Sequence, residues 1–275
     1  MKAIFRKAPN TSRIVLAIIL FAVVLMVSTL VNKGLIRQYF PYVSCLLLVL
    51  VTWFLYRTEN KSLSELGLNL TNRNISFLPL GVLIAAAVFL IARFFRALYL
   101  GEAIIISEKV NIDIVLLAFY TILPQVAVEE LLFRGYLFKK TLALKNVVFA
   151  NVLFAIIFTL IHVLDENVLK NKGMMLMLII SIPVGHLLFA TALLRTRTLL
   201  FPIGLHLGNN WASRHLIIEA QSNDSIFYIP NSVNFQTWTP FIVSLLIYNG
   251  LFLLLTFIIW KWPIISQKIG IKSVE

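Results

Sequence analysis

The sequence predicts an all-α, polytopic membrane helical bundle of about eight transmembrane helices. Three observations predict it. Apolar residues make up 60% of the 275-residue chain and charged residues only 13%, whereas a soluble domain is nearer half apolar and a quarter charged. The mean hydropathy is +0.90. Apolar runs long enough to enter the hydrocarbon core of a bilayer recur from end to end. No stretch between them is long enough to fold as a soluble unit. Residues 1–275 therefore read as a single membrane domain.

The elements follow in order. Met1–Arg13 is polar and basic. Ile14–Val31 is the first span; its run is longer than the roughly 7–15 residues of a signal-peptide core, and no small-residue cleavage site follows, so it reads as an anchor. Phe40–Tyr56 is the second span, and Ile75–Ala92, after a polar loop Arg57–Asn74, is the third. These three make up an N-terminal part, residues 14–92. Arg93–Asn111 extends the third helix and then loops. Ile112–Phe138 is a long fourth span, able to tilt or to break near Pro124. Val147–Val163 is the fifth. Met174–Leu194 is the sixth, with Pro183 and Gly185 marking a kink. Leu199–Trp211 is a short seventh. A polar stretch, Ala212–Trp238, leads to the last span, 241–260.

The net charge is +12. Such a balance does not point to nucleic acid here, because the cations sit in short loops beside spans, where they set topology. With the N-terminus inside and the spans alternating, the inside segments hold Lys2, Arg6, Lys7, Arg13, Arg57, Lys61, Arg73, Lys139, Lys140, Lys145, Arg195, Arg197, Lys261, Lys268 and Lys272. The outside segments hold Lys33, Arg37, Arg93, Arg96, Lys109, Lys170, Lys172 and Arg214. The inside set is about twice the outside set, which predicts a multi-pass protein of the cell membrane with both termini cytoplasmic. The short, Asn- and Lys-rich loops fit a bacterial protein. Cys45 is the only cysteine, so neither an internal disulfide nor a thiolate metal site is available. It reads as a small buried hydrophobe.

Against this background a few polar residues are out of place. Charged side chains at membrane depth cost roughly 2.5–3.5 kcal/mol each on insertion scales and are usually functional. Glu129 and Glu130 lie well inside the fourth span, with Arg134 close by. Asp113 sits at that span's edge. Glu130 and Arg134 are four apart and share a helix face, so they are expected to pair. Glu129 points about 100° away, which leaves it as the free carboxylate, a residue type suited to general base work. Phe158 and His162 are four apart on the fifth span, as are His206 and Asn210 on the seventh. Taken singly, His162, His206 or Asn210 would read as interhelical glue. Together with an unpaired carboxylate at the same depth, they read as a site. His186, next to Gly185, reads as a hydrogen-bonded core residue, and His215 as a solvated loop residue.

These motifs resemble a known family. Glu129-Glu130-x-x-x-Arg134, Phe158-x-x-x-His162 and His206-x-x-x-Asn210, in order on successive spans, resemble the three signatures of the CPBP family. That family comprises the CAAX prenyl proteases and bacteriocin-processing enzymes, also called Abi or Rce1-type intramembrane endopeptidases. Gly135 after the arginine, the segment from Arg195 to His206, and Ser64-Glu-Leu-Gly-Leu68 agree. The resemblance covers Leu116–Trp211, within a catalytic core of about residues 112–212. It implies hydrolysis of a peptide bond in a membrane-associated protein or peptide. Glu129 would activate water with His162 assisting, His206 and Asn210 would stabilise the oxyanion, and Glu130, Arg134 and Phe158 would support the site. It leaves open a Zn2+ held by Glu129, His162 and His206 or a metal-free glutamate mechanism. Two other readings compete. One is a non-proteolytic scaffold or bacteriocin self-immunity protein on the same fold. The other is a transporter with Glu and His as a proton relay, a reading that no internal repeat supports.

Overall fold

A computed structural model describes residues 9–230 and 237–268. Lys2, Arg6, Lys7 and Lys272 of the topology argument lie outside the described residues, as does 231–236 of the polar stretch before the last span. The described helices are α1 (Pro9–Val31), α2 (Gly34–Tyr39), α3 (Val43–Arg57), α4 (Asn72–Leu100), α5 (Ile112–Phe133), α6 (Tyr136–Leu144), α7 (Val147–Val163), α8 (Glu166–Leu169), α9 (Lys172–Thr196), α10 (Leu200–Trp211) and α11 (Trp238–Lys268).

Local chemistry starts these helices where the spans were expected. Side chains at the N-caps accept from the backbone N–H three residues on: Thr71 from Asn74, Asn111 from Ile114, Asn146 from Phe149 and Asn171 from Met174. These contacts satisfy donors that the first helical turn leaves free. Gly101 ends α4 in the left-handed conformation at φ 68°, where a missing Cβ removes the steric penalty.

The architecture is the expected helical membrane bundle. By length and composition, five segments among the described residues are suited to cross a membrane: Pro9–Val31, Asn72–Leu100, Ile112–Leu144, Lys172–Thr196 and Trp238–Ile264. The other expected spans correspond to α3, α7 and α10, with 15, 17 and 12 residues. These are shorter than the ~20 residues of a straight full crossing. Large apolar side chains such as Leu83, Val148 and Leu246 face outward, as a lipid solvent permits.

Two features depart from the sequence reading. The fourth span does not break at Pro124, which lies inside a continuous α5. It breaks after Arg134, and α6 then continues the segment. At Gly135 a Cβ would overlap the carbonyl oxygen of Leu131, so only glycine fits the turn. The second departure is a small sheet. Strands β1 (Ile105–Ile106), β2 (Ile217–Ile218) and β3 (Phe227–Tyr228) pair in the order β1-β3-β2, antiparallel for β1/β3 and parallel for β2/β3. It fastens the stretch after α10 to the loop after α4.

The segments assigned to the inside by charge meet at one end of the bundle. Thr198 Oγ1 donates to Gly67 O at 2.9 Å, and Leu199 N to Leu66 O at 2.8 Å. Glu59 joins the start of α1 to α6. It contacts Arg13 at 3.7 Å, accepts from Tyr136 Oη at 2.5 Å and pairs with Lys140. The loops assigned to the outside meet at the other end, where Arg96 pairs with Glu102 at 3.1 Å and Arg93 with Glu219 at 3.2 Å.

The closest helix contact is α4 against α10. A Cβ at Gly204 would overlap Leu78 O, one at Gly208 would overlap Val82 O, and one at Gly81 would lie 2.7 Å from Leu205 N. The two backbones touch because none of these residues has a side chain, the small-residue packing typical of membrane helices.

Two predictions follow from this packing. Gly204→Ala is expected to destabilise the protein in detergent by about 1–3 kcal/mol through overpacking. Gly250→Ala on α11, where a Cβ meets nothing within 4 Å, is expected to leave thermal unfolding unchanged or slightly raised. The second concerns Glu59. Burial raises its carboxyl, but the hydrogen bonds from Lys140 and Tyr136 and the charges of Lys140 and Arg13 outweigh burial, so it sits below its ordinary value of 4.5. A depressed carboxyl stabilises the fold fully above its unfolded value and loses that contribution as pH falls through the folded one. Unfolding scans against pH should therefore show wild type above Glu59→Gln at neutral pH, with the two converging in acid.

Candidate active site

The site begins at the last turn of α5. Glu130 is completely buried. Its Oε1 accepts from Arg134 Nη1 at 2.9 Å, the expected pair across one helical turn. The same oxygen lies 2.8 Å from Nδ1 of His206 on α10. The sequence reading paired Glu130 with Arg134 alone, so the bond to His206 is new.

Aromatic rings enclose the arginine. Its guanidinium carbon lies 4.4 Å from the ring centroid of Phe158 on α7 and 5.2 Å from that of Phe189 on α9. A desolvated guanidinium over an aromatic face is held by the ring quadrupole. Arg134 Nε and Nη2 and Glu130 Oε2 have no hydrogen-bond partner among the described residues, so those ring faces are the arginine's other support. Phe189 also stacks on His206, with centroids 4.8 Å apart and planes at 16°. One phenyl ring thus orients both the cation and the imidazole.

Glu129 turns the other way, as its position on the helix requires. It is half-buried. Its Oε1 accepts from Gln125 Nε2 at 3.2 Å, and its Oε2 is 3.7 Å from His206 Nε2. That second distance is too long for a direct hydrogen bond. The imidazole of His206 therefore stands between two carboxylates, bonded to one and facing the other across a gap.

The partners of the two histidines fix which ring nitrogen donates. His206 Nδ1 meets a carboxylate, and His162 Nδ1 lies 2.8 Å from the carbonyl oxygen of Phe158. Ionised carboxylates and carbonyls only accept, so both rings carry a proton on Nδ1. Nε2 is left to work in each. The His162 ring stands edge-on to Phe158 at 4.7 Å, and this ring joins it to the rest. Asn210 stands one turn beyond His206; its Oδ1 accepts from Asn209 Nδ2 at 3.3 Å. Asn209 in turn accepts from Tyr248 Oη at 2.8 Å.

Helix α10 is held in place from two sides. Its glycines press on α4. At its end Trp211 Nε1 donates to Val115 O at 2.9 Å, and the indole stacks on Phe119 at 4.7 Å, both on α5. His206 is thereby fixed relative to Glu129 and Glu130.

Metal ligation was left open by the sequence. Among the described residues, no three His, Cys, Asp or Glu side chains form a group that could hold a metal ion. His206 Nδ1 and His162 Nδ1 are bonded within the protein, which leaves Nε2 of each ring free. Glu129, His162 and His206 are thus not drawn together into such a group, and no chemical step is derived through a metal.

Four residues outside the expected set belong to the site: Phe189, Gln125, Gly204 and Gly208. Gln125 is one turn before Glu129, a spacing that could have revealed it. The Gly204-x-x-x-Gly208 spacing is itself a close-packing signal. Two other histidines differ from expectation. His186 is buried as foreseen, but neither ring nitrogen has a hydrogen-bond partner among the described residues. His215 is not simply solvated: its Nδ1 lies 2.8 Å from the carbonyl oxygen of Asp224.

The interior of this helical membrane bundle thus gathers Glu129, Glu130, Arg134 and His206, with His162 joined to them through Phe158. Residues 111–212 match the family model Rce1-like, described as Type II CAAX prenyl endopeptidase Rce1-like. The segment from the cap of α5 to the end of α10, which carries every residue of the site, is therefore similar to the Type II CAAX prenyl endopeptidase Rce1-like family. Helices α1 to α4 and α11 lie outside the match. No curated protein and no solved structure matches the chain.

Removing one member of the buried pair should be severe. Arg134→Ala strands the Glu130 charge and is expected to lower stability by about 3–5 kcal/mol in detergent unfolding. Glu130→Gln keeps an accepting oxygen and should lower it less. Nitrogen NMR of His206 should show a proton on Nδ1 in wild type and a changed Nδ1 signal in Glu130→Gln.

Proposed function

We propose that the protein is an intramembrane endopeptidase that hydrolyses a peptide bond of a membrane-associated protein or peptide, with Glu129 as general base. The observation that carries this reading is the contrast between adjacent carboxylates. Glu130 is locked by Arg134 and His206, whereas Glu129 is partly exposed and faces the working nitrogen of His206 at 3.7 Å.

Glu129 takes a proton from water as the oxygen attacks the scissile carbonyl. It then returns that proton to the departing amine nitrogen, so base and acid are the same group in sequence. The oxyanion of the tetrahedral intermediate needs donors already aimed at it. His206 suits that role: when Nε2 carries a proton, the ring donates to Glu130 at one nitrogen and to the oxyanion at the other. Asn210, one turn further on the same helix, supplies a second donor through its amide. His162 assists the water through Nε2, since Nδ1 is committed to Phe158. Arg134 and Phe189 orient the set without touching the substrate.

The family match supports peptide-bond hydrolysis, and the apolar helices that carry the site support a substrate reached within or beside the bilayer. The gathering of basic loops at one end of the bundle supports an arrangement with that end, and both termini, in the cytoplasm.

The test is cleavage of quenched, membrane-associated peptides by purified protein. Glu129→Gln should reduce the rate by about 10²–10⁴-fold, the usual contribution of a general base, with thermal unfolding unchanged. If Glu129→Gln retains full cleavage, the assignment of the base is wrong. If wild type supports its cellular role without cleaving and Glu129→Gln does the same, the scaffold or immunity reading replaces it.

A further inference from the structure

A groove of about 730 Å³ opens between α7, α9 and α11. It lies at the end of the bundle where the basic loops gather. Val152, Leu187, Leu253 and Phe257 give it apolar walls, while Arg195 and Trp260 line it near the helix ends. Among the described residues no carboxylate lines it. Arg195 is exposed and takes part in none of the ion pairs found among the described residues. Two further cations flank the same end. Lys261 Nζ sits 4.0 Å over the Trp260 ring, and Lys145 is two residues before Val147, which lines the groove.

The groove is separate from the catalytic site. Neither Glu129 nor His206 lines it. Leu187 and Thr191 of α9 face it, whereas Phe189, between them in sequence, faces His206. The helix thus presents one face to the groove and the other to the site.

We propose that this groove binds one anionic phospholipid, with an acyl chain between α7 and α11 and the phosphate at Arg195, between Lys145 and Lys261. The charge pattern selects this occupant. An apolar slot with one unpaired cation at its mouth and two more close to its lining residues matches an amphiphile with a negative head, the pattern of lipid sites between membrane helices. A zwitterionic head would carry its own cation into three others. A second copy docked symmetrically would bring each set of cations against its equivalent, and like charges across an interface oppose association. The bound lipid would brace α9 from behind and so hold Phe189 on His206 and Arg134.

Trp260 reports occupancy directly. The full-length protein, delipidated in detergent, is titrated with phosphatidylglycerol or phosphatidylcholine carrying brominated acyl chains. Quenching of Trp260 is read as the difference between wild type and Trp260→Phe. Phosphatidylglycerol should half-quench at a mole fraction about fivefold lower than phosphatidylcholine, and Arg195→Gln should weaken phosphatidylglycerol by about fivefold, the worth of one cation near a lipid surface. The double variant Lys145→Gln/Lys261→Gln should weaken it further. Val152→Phe, which narrows the slot, should reduce quenching by both lipids. Equal quenching by the two headgroups in wild type overturns the proposal. So does an Arg195→Gln protein, with unchanged thermal unfolding, that keeps the wild-type preference. Protection of Trp260 by association of two chains, seen as a doubled mass in detergent, also overturns it and assigns the groove to a second copy.

Discussion

One buried charge organises the interior of this protein. The Glu130 carboxylate has no access to solvent, and an isolated ion there would be strongly unfavourable. Its attraction to Arg134 offsets that only because the geometry is tight and further partners share the burden. Those partners come from across the bundle. Arg134 is supplied by the break after α5, Phe158 by α7, Phe189 by α9 and His206 by α10. A displacement of any of these helices would expose an unpaired charge to a medium that cannot solvate it. The constraint that keeps Glu130 comfortable is therefore also the one that keeps Phe158, Phe189 and His206 in register.

The short helix α10 shows how such a constraint is met sterically. At 12 residues it is too short for a straight crossing, and Phe201 through Gly208 are buried without interruption. Nothing in lipid drives apolar helices together, so contact must come from close packing. Gly204, Gly208 and Gly81 let the α4 and α10 backbones meet, and Trp211 ties the far end to α5. A histidine in the middle of such a helix has almost no freedom. Pre-positioned donors are what stabilisation of an oxyanion requires. Under the proposed mechanism the glycines, remote from any chemistry, would thus contribute to it.

Much of this was legible in the sequence wherever the relevant spacing is local. Four-residue separation foretold the Glu130–Arg134 pair and the shared faces of Phe158 with His162 and of His206 with Asn210. Hydropathy located the five helices long and apolar enough to cross a membrane, and the Asn and Thr caps fall close to the expected boundaries. What escaped was long-range or steric. The bond from His206 to Glu130 joins residues 76 apart, and no periodicity within either helix encodes it. Phe189 looked like one more apolar residue of a membrane helix; its role comes from which face of α9 meets His206. Pro124 was a plausible break, yet neighbouring helices tolerate proline inside a span, and the actual break follows from Gly135, where a side chain would strike Leu131 O. The small sheet was missed because two-residue strands carry no alternation to read.

The Glu129-Glu130 dipeptide places two identical groups in opposite circumstances through helix geometry alone. Consecutive residues point about 100° apart, so one carboxylate faces the packed interior and the next faces the gap beside His206. The inward one is locked: its bonded oxygen already accepts two charge-assisted hydrogen bonds, and drawing it into proton transfer would break the pairing that justifies its burial. The outward one keeps only a single neutral amide donor, Gln125, and so retains lone pairs free to receive a proton from water. The imidazole between them connects the two roles, because the oxygen that fixes its Nδ1 is the same one that Arg134 anchors. A base that can give and take a proton repeatedly must be loosely held, while the donor that stabilises charge must be rigidly held. Under the proposed mechanism, adjacent positions at the end of α5 serve both demands: Glu129 is left loosely held, and Glu130 fixes His206 of α10.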